Sequence, residues 1–168
     1  MSLKTTLIGA VTALSFAMPA FADIEIHDPY ARSSNAMAGA AFMTIHNSGV
    51  VDDHLLSVTS DASARVELHT HIEDADGVMR MTHVEEGFVL PAGGEIVMQR
   101  GAKHVMFMGL NAPFEQDEVV TVTFAFEHAG EVVVEIPVDQ NREEHGAMSG
   151  DMEDGEMDHS DMDHSADN

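Results

Sequence analysis

The chain has 168 residues, with 30 Asp and Glu, 7 Lys and Arg, and no Cys. This length fits one domain, and the lack of Cys excludes disulfides, thiolate catalysis and Cys-based metal sites. The large acidic excess argues against nucleic-acid binding and against docking on anionic membrane surfaces, because both recruit Lys and Arg.

Residues 1–22 have the pattern of a signal peptide. Lys4 supplies a positive start, the apolar run "TLIGAVTALSFAMPA" follows, and Ala20 and Ala22 frame a small-x-small cleavage signal. The run is shorter than the roughly 20 apolar residues of a spanning helix. We therefore expect export to the periplasm, cleavage after Ala22 and no membrane anchor. An uncleaved anchor is the alternative.

Residues 23–140 are predicted to form one all-β domain. Period-two alternation and an abundance of β-branched and aromatic residues are typical of half-buried strands. These features predict strands at 41–47, 64–71, 78–83, 95–99, 104–108, 119–127 and 131–138. Turn residues separate them, as in "DADG" and "PAGG". Many short strands with regular turns and no helical period indicate a Greek-key β-sandwich or barrel.

Residues 141–168 differ sharply in composition. The segment has ten acidic residues and no Val, Ile, Leu or aromatic residue. It cannot bury enough apolar surface to offset chain entropy, so we expect a disordered tail. The tail carries three His and four Met, namely His145, Met148, Met152, Met157, His159, Met162 and His164.

Three of the predicted strands carry His and Met side chains that alternation places on a common face. These are His69 and His71 beside Glu67, then Met79, Met81 and His83, and finally His104, Met106 and Met108. A single Met in a strand usually fills core space, and a single His is usually an ordinary surface residue. Their repeated co-occurrence in a chain without Cys points instead to a metal site. We interpret His27, His46, His54 and His128 as ordinary histidines.

Thioether and imidazole together indicate copper in its reduced state. Thioethers are soft ligands that select Cu(I), whereas hard ions would use the abundant carboxylates. Neither thioether nor neutral imidazole must lose a proton to bind metal at neutral pH. In the tail, Met would take Cu(I), and His with Asp or Glu could take Cu(II).

The segments "VELHTH", "DGVMRMTHVEEGFVLPAGGEIVM" and "HVMFMGL" resemble the periplasmic copper chaperones called PCu(A)C. The resemblance implies a cupredoxin-like fold and one Cu(I) held by His69, Met81, His104 and Met106. One residue more separates Met81 from His104 than is usual in the family, which leaves Met79 as an alternative to Met81. His71 and His83 are further candidates.

The resemblance also implies a role in copper delivery and not in catalysis. The expected recipient is the copper-bearing CuA subunit of cytochrome c oxidase, or a thiol-bearing copper assembly factor. We expect a monomer, with the tail collecting additional copper. A periplasmic copper buffer without a dedicated recipient is the alternative. An electron-transfer cupredoxin is disfavoured because blue-copper sites need a Cys ligand.

Overall fold

The computed structural model describes residues 23–142. The predicted signal peptide, and the seven His and Met residues of the predicted tail, lie outside this range. Within it the chain forms ten strands and no helix, and so no helix there could cross a membrane. The prediction of an all-β domain is confirmed.

The strands follow one another with short connections. Their bounds are β1 Ile24–Asn35, β2 Ala38–Asn47, β3 Asp53–Thr59, β4 Ser63–Glu73, β5 Met79–His83, β6 Phe88–Leu90, β7 Glu95–Met98, β8 His104–Leu110, β9 Val119–Phe126 and β10 Gly130–Pro137.

Two antiparallel sheets make the sandwich. The six-stranded sheet has the order β1-β2-β8-β4-β5, with β7 also paired to β2, and the four-stranded sheet has the order β10-β9-β3-β6. Phe107 and Ile45 from the first sheet and Phe124 and Leu55 from the second are fully buried in the core between them. Because neighbouring side chains on a strand point to opposite faces, the six-stranded sheet also has an outer face that points away from the core.

The seven predicted strands all correspond to strands of the structure, but β1, β3 and β6 were not predicted. In β1, Pro29 and the left-handed Asp28, with φ of 55°, interrupt the pattern, and the pairing with β2 shifts register between His27 and Tyr30. β3 contains a similar irregularity between Leu55 and Ser57. β6 has only three residues, too few to show a period.

The chain end that the structure describes returns to β1. Arg142 pairs with Asp28, and its guanidinium carbon lies 4.6 Å from the centre of the Tyr30 ring. Gln140 donates hydrogen bonds to Ser33 Oγ at 2.9 Å and to the Phe114 carbonyl at 2.8 Å. The described part of the chain thus ends beside β1, on the six-stranded sheet.

Candidate metal centre

Three adjacent strands place a row of histidines across the outer face of the six-stranded sheet. On the central strand β4, His69 is directly opposite His104 of β8 on one side and His83 of β5 on the other. The next residues along, Leu68 and Val105, point into the core. Alternation in both strands therefore fixes the histidines on the outer face.

The imidazole rings are in close contact. The His69 ring centre lies 5.8 Å from that of His104 and 5.7 Å from that of His83. His71 joins the group, because its ring centre is 5.5 Å from that of His104. His69 and His104 are buried, although they lie on the outer face.

Hydrogen bonds determine which nitrogen of each buried ring can accept a metal. His104 Nδ1 donates to the Ala102 carbonyl at 2.9 Å, and His69 Nε2 donates to a Glu67 carboxylate oxygen at 2.8 Å. A carbonyl or a carboxylate can only accept, so these nitrogens carry the ring hydrogens. In the neutral rings, the lone pairs are therefore on His104 Nε2 and His69 Nδ1.

Both of these lone-pair nitrogens are buried, and neither has a hydrogen-bond partner within residues 23–142. The only other such atom in that range is Nε2 of His54, which lies in the other sheet. A buried polar atom without a partner costs about 1–3 kcal/mol. Two of them on neighbouring rings are the arrangement expected of ligands that face a metal ion, with the second nitrogen of each ring oriented by an acceptor.

The local electrostatics favour a neutral His104 ring. Burial lowers the pKa of His104, and the nearby His69 and His71 lower it further, although the bond to Ala102 opposes this. The hydrogen bond from His69 lowers the pKa of Glu67, as do the charges of His83 and Arg65. At neutral pH, the site therefore presents a neutral His104 and an ionised Glu67.

The predicted methionine ligands lie on opposite sides of the His69–His104 pair. Met106 of β8 is opposite Glu67, and Met81 of β5 is opposite His71. Those two β4 positions are four residues apart, or about 13 Å along the strand. Met106 is half-buried, whereas Met81 is 47% exposed.

Register also separates the two alternatives for the β5 methionine. Met79 is opposite Glu73 and so lies a further two residues, roughly 7 Å, from the histidine row. Met81 is the nearer of the two. Every residue of β5 is exposed, and within the described range β5 pairs only with β4. The site thus opens toward solvent at this edge of the sheet.

Two residues that were not among the four predicted ligands lie at the candidate site. Glu67 orients His69, and its carboxylate lies 3.8 Å from His83 Nδ1. His83 itself is opposite His69 because of the β4–β5 hairpin register. Counting back from the "DADG" turn would have indicated that pairing, since turn geometry sets hairpin register.

Comparisons with known proteins agree with this fold. A copper-bound PCuAC domain from PmoF2 has a TM-score of 0.57 and 22% identity, and the match covers 74% of this chain and 99% of that domain. An apo PCuAC domain from PmoF1 gives 0.58 and 20%, covering 71% and 96%. CuI-DR1885 from Deinococcus radiodurans gives 0.55 and 25%, covering 70% and 80%. The predicted cupredoxin-like sandwich and the resemblance to PCuAC domains are confirmed.

A curated relative and a family model also match the chain. "Putative lipoprotein Lxx21020" of Leifsonia xyli subsp. xyli (strain CTCB07) is 28% identical over 115 residues, covering 68% of this chain and 69% of that protein. The model described as "Putative lipoprotein LpqE-like" matches residues 24–138, which include every strand of the sandwich. The chain belongs to the LpqE-like family.

Proposed function

We propose that this protein binds Cu(I) between His69 and His104 and passes it to a copper-accepting protein, without catalysing a reaction. One observation carries the proposal. Two neighbouring buried imidazoles each present a nitrogen with no hydrogen-bond partner in the described chain. The likeness to the copper-bound domain from PmoF2 and to CuI-DR1885 supports copper as the ion.

The histidine pair is prepared for the ion before it arrives. The ring hydrogens are held on His69 Nε2 and His104 Nδ1 by Glu67 and Ala102, so no tautomer change is needed when the other nitrogens bind. Burial keeps His104 neutral, and binding therefore releases no proton from it. Cu(I) has little geometric demand and accepts imidazole readily.

Thioethers complete the proposed His2Met2 ligand set and select Cu(I). Met106 extends from the same strand as His104, two residues further along. Met81 reaches an ion at the histidine pair only if the β4–β5 hairpin curls over the histidine row, because register places it opposite His71. His71 is the competing ligand at that position, since its ring already contacts His104.

The exposed edge offers a route for transfer. An incoming thiolate or thioether can approach along β5 and bind Cu(I) as Met81 leaves, so the ion is never free. A thiol acceptor gives its proton to solvent as its sulfur binds. We propose that the acceptor is the CuA-bearing subunit of cytochrome c oxidase, or a thiol-bearing assembly factor, in the periplasm.

A copper buffer without a dedicated recipient would use the same ligands. The proposed tail function, in which Met148, Met152, Met157 and Met162 collect Cu(I) and His145, His159 and His164 take Cu(II), suits both roles. Oxidase assembly separates them. A deletion strain with normal CuA loading but increased copper sensitivity would support the buffer.

The site assignment is tested by Cu(I) competition with a chromophoric chelator on the full chain. We expect His69→Asn/His104→Asn to lose the tightest bound Cu(I). A matched tail variant, Met148→Leu/Met152→Leu/Met157→Leu/Met162→Leu, removes the proposed Cu(I) ligands of the tail and should keep it. The reverse result would place the principal site in the tail and overturn the proposal.

A further inference from the structure

The outer face of the six-stranded sheet carries a second group of metal-ligating side chains at its other end. Glu25 and His27 of β1 and His46 of β2 each offer a ligand atom, and these atoms all lie within 4.8 Å of one another. Glu25 is directly opposite His46, and His27 is two residues along on the same face. Alternation turns Ile24, Ile26 and Ile45 toward the core instead.

We propose that Glu25, His27 and His46 form a binding site for a divalent transition-metal ion, which takes Cu(II) most tightly. The proposal does not depend on the Cu(I) site. It replaces our expectation that His27 and His46 are ordinary surface histidines.

The spacing of the three groups supports coordination better than hydrogen bonding. His27 Nε2 lies 3.4 Å and His46 Nδ1 lies 3.9 Å from the same Glu25 oxygen, and the ring centres are 6.4 Å apart. Hydrogen bonds from nitrogen to oxygen are about 2.7–3.2 Å long. Ligand atoms at about 2.0–2.1 Å from one ion are separated by roughly 2.9 Å at the right angles of tetragonal Cu(II) and by roughly 3.3 Å at tetrahedral angles. Small side-chain rotations would bring all three atoms to that spacing.

The donor atoms determine the class of ion. Two imidazole nitrogens and one carboxylate oxygen suit borderline divalent ions, and the Irving–Williams order puts Cu(II) above Zn(II). Both Glu25 and His27 are exposed, so water can fill the remaining positions. Glu95 of β7 is opposite His46 on its other side and adds negative charge beside the group. The formal net charge of −23 further favours cations over anions.

The two sites are separate. Phe42 of β2 packs on His104, with ring centres 6.2 Å apart, and His46 lies four residues further along the same strand. That is about 13 Å at the rise of a β-strand. One ion could not be shared over this distance, so the two sites can be occupied at once.

Paramagnetic broadening in NMR spectra of the full chain tests the proposal, because Cu(II) broadens only the signals near its own site. Adding Cu(II) should broaden the backbone amides of Thr44 and Val97, which are paired beside the proposed site. In His27→Asn/His46→Asn, that broadening should disappear, with one Cu(II) fewer bound per chain by EPR titration. The three tail histidines are unchanged between the two proteins, so the difference reports the sheet alone.

His128→Asn is the matched control, because His128 is an exposed histidine outside the group. This variant should behave as the wild type in both measurements. Unchanged broadening and stoichiometry in the double variant would overturn the proposal. Zn(II) should shift the same amides at higher concentration than Cu(II), and tighter binding of Zn(II) would overturn the assignment to Cu(II). Loss of Cu(I) binding is measured separately and has no bearing on either result.

Discussion

A carboxylate oxygen of Glu67 accepts a hydrogen bond of 2.8 Å from His69 Nε2, and both groups are largely shielded from water. The hydrogen bond orients the imidazole and holds its hydrogen on the nitrogen that faces away from the proposed ion. It also lowers the pKa of Glu67. Such partners are as much a part of a metal site as the ligands they orient.

Replacing Glu67 should therefore weaken copper binding although Glu67 is not a proposed ligand. We expect Glu67→Ala to lower Cu(I) affinity by about ten- to a hundredfold. Glu67→Gln, whose amide oxygen can still accept the bond, should lose less. Nitrogen-15 NMR of His69 should show a mixture of tautomers in Glu67→Ala and one tautomer in the wild type. Glu131→Ala, on an exposed position of β10, is the control, and an equal loss of affinity there would contradict the role of Glu67.

The assignment of the β5 ligand can be decided by comparing two methionines. We expect Met81→Leu to reduce the sulfur ligands seen by X-ray absorption of the Cu(I)-loaded protein from two to one. Met79→Leu should leave two, because Met79 lies further from the histidine row. Both side chains are about half exposed, so neither change should affect folding. One sulfur and three nitrogens in the wild type would show instead that His71 takes the position of Met81.

His104 Nε2 has no hydrogen-bond partner in the described residues, which predicts that folding stability and Cu(I) binding place opposite demands on this position. His104→Phe removes a buried polar atom that lacks a partner and keeps an aromatic ring against Phe42. In metal-free protein, removing this atom should add about 1–3 kcal/mol to the free energy of unfolding, and losing the Nδ1 hydrogen bond to the Ala102 carbonyl should cost about 0.5–1.5 kcal/mol. We therefore expect a net rise of about 1 kcal/mol. Cu(I) binding at this site should be lost. Urea unfolding with and without Cu(I) measures both effects. A marked loss of stability in the metal-free protein would contradict the interpretation that Nε2 is a ligand with no structural role.

The Asp53 carboxylate predicts a pH dependence of folding stability that does not involve metal binding. Burial alone would raise the pKa of Asp53, but N–H groups of His128, His54 and Ala129 bond to its carboxylate and hold the pKa below its ordinary value. The carboxylate therefore stabilises the fold above the unfolded-state pKa of about 3.9, and that contribution is lost as the pH falls through the lower folded-state pKa.

Asp53→Asn should accordingly cost about 1–3 kcal/mol at pH 7, because its amide nitrogen would face a backbone donor. The difference from the wild type should shrink as the pH approaches 2. Urea unfolding at several pH values measures this. Asp61→Asn, at an exposed position, is the control and should show no such difference. A constant gap between Asp53→Asn and the wild type at all pH values would contradict the prediction.

Predictions from the sequence were most accurate for strands in which core-facing and outward-facing residues alternate regularly. The period of two in β4 and β8 was enough to place His69 and His104 on one face, and the structure pairs them directly. Alternation gives a face but not a register, because register depends on turns and bulges. For that reason the pairing of His83 with His69 and the offset between Met81 and Met106 could not be read from the strands alone.

The group at Glu25, His27 and His46 was missed for a related reason. Pro29 and the left-handed Asp28 hid β1 from the pattern analysis, so the strand that brings Glu25 beside His46 was not predicted. Without that strand, the two histidines are 19 positions apart in the chain and have no reason to meet. An irregular strand can thus bring together side chains that are distant in the chain without showing an alternating pattern in the sequence.

In β4 and β8, residues that fill the core and residues that face the proposed ion occupy alternate positions. Leu68, Val105 and Phe107 belong to the first set, and His69, His104 and Met106 to the second. The proposed ligands can therefore change during evolution without repacking of the core. Core residues can likewise change without replacement of the ligands. An inserted or deleted residue within either strand would exchange the two sets from that point onward, so length variation among relatives should be confined to the loops.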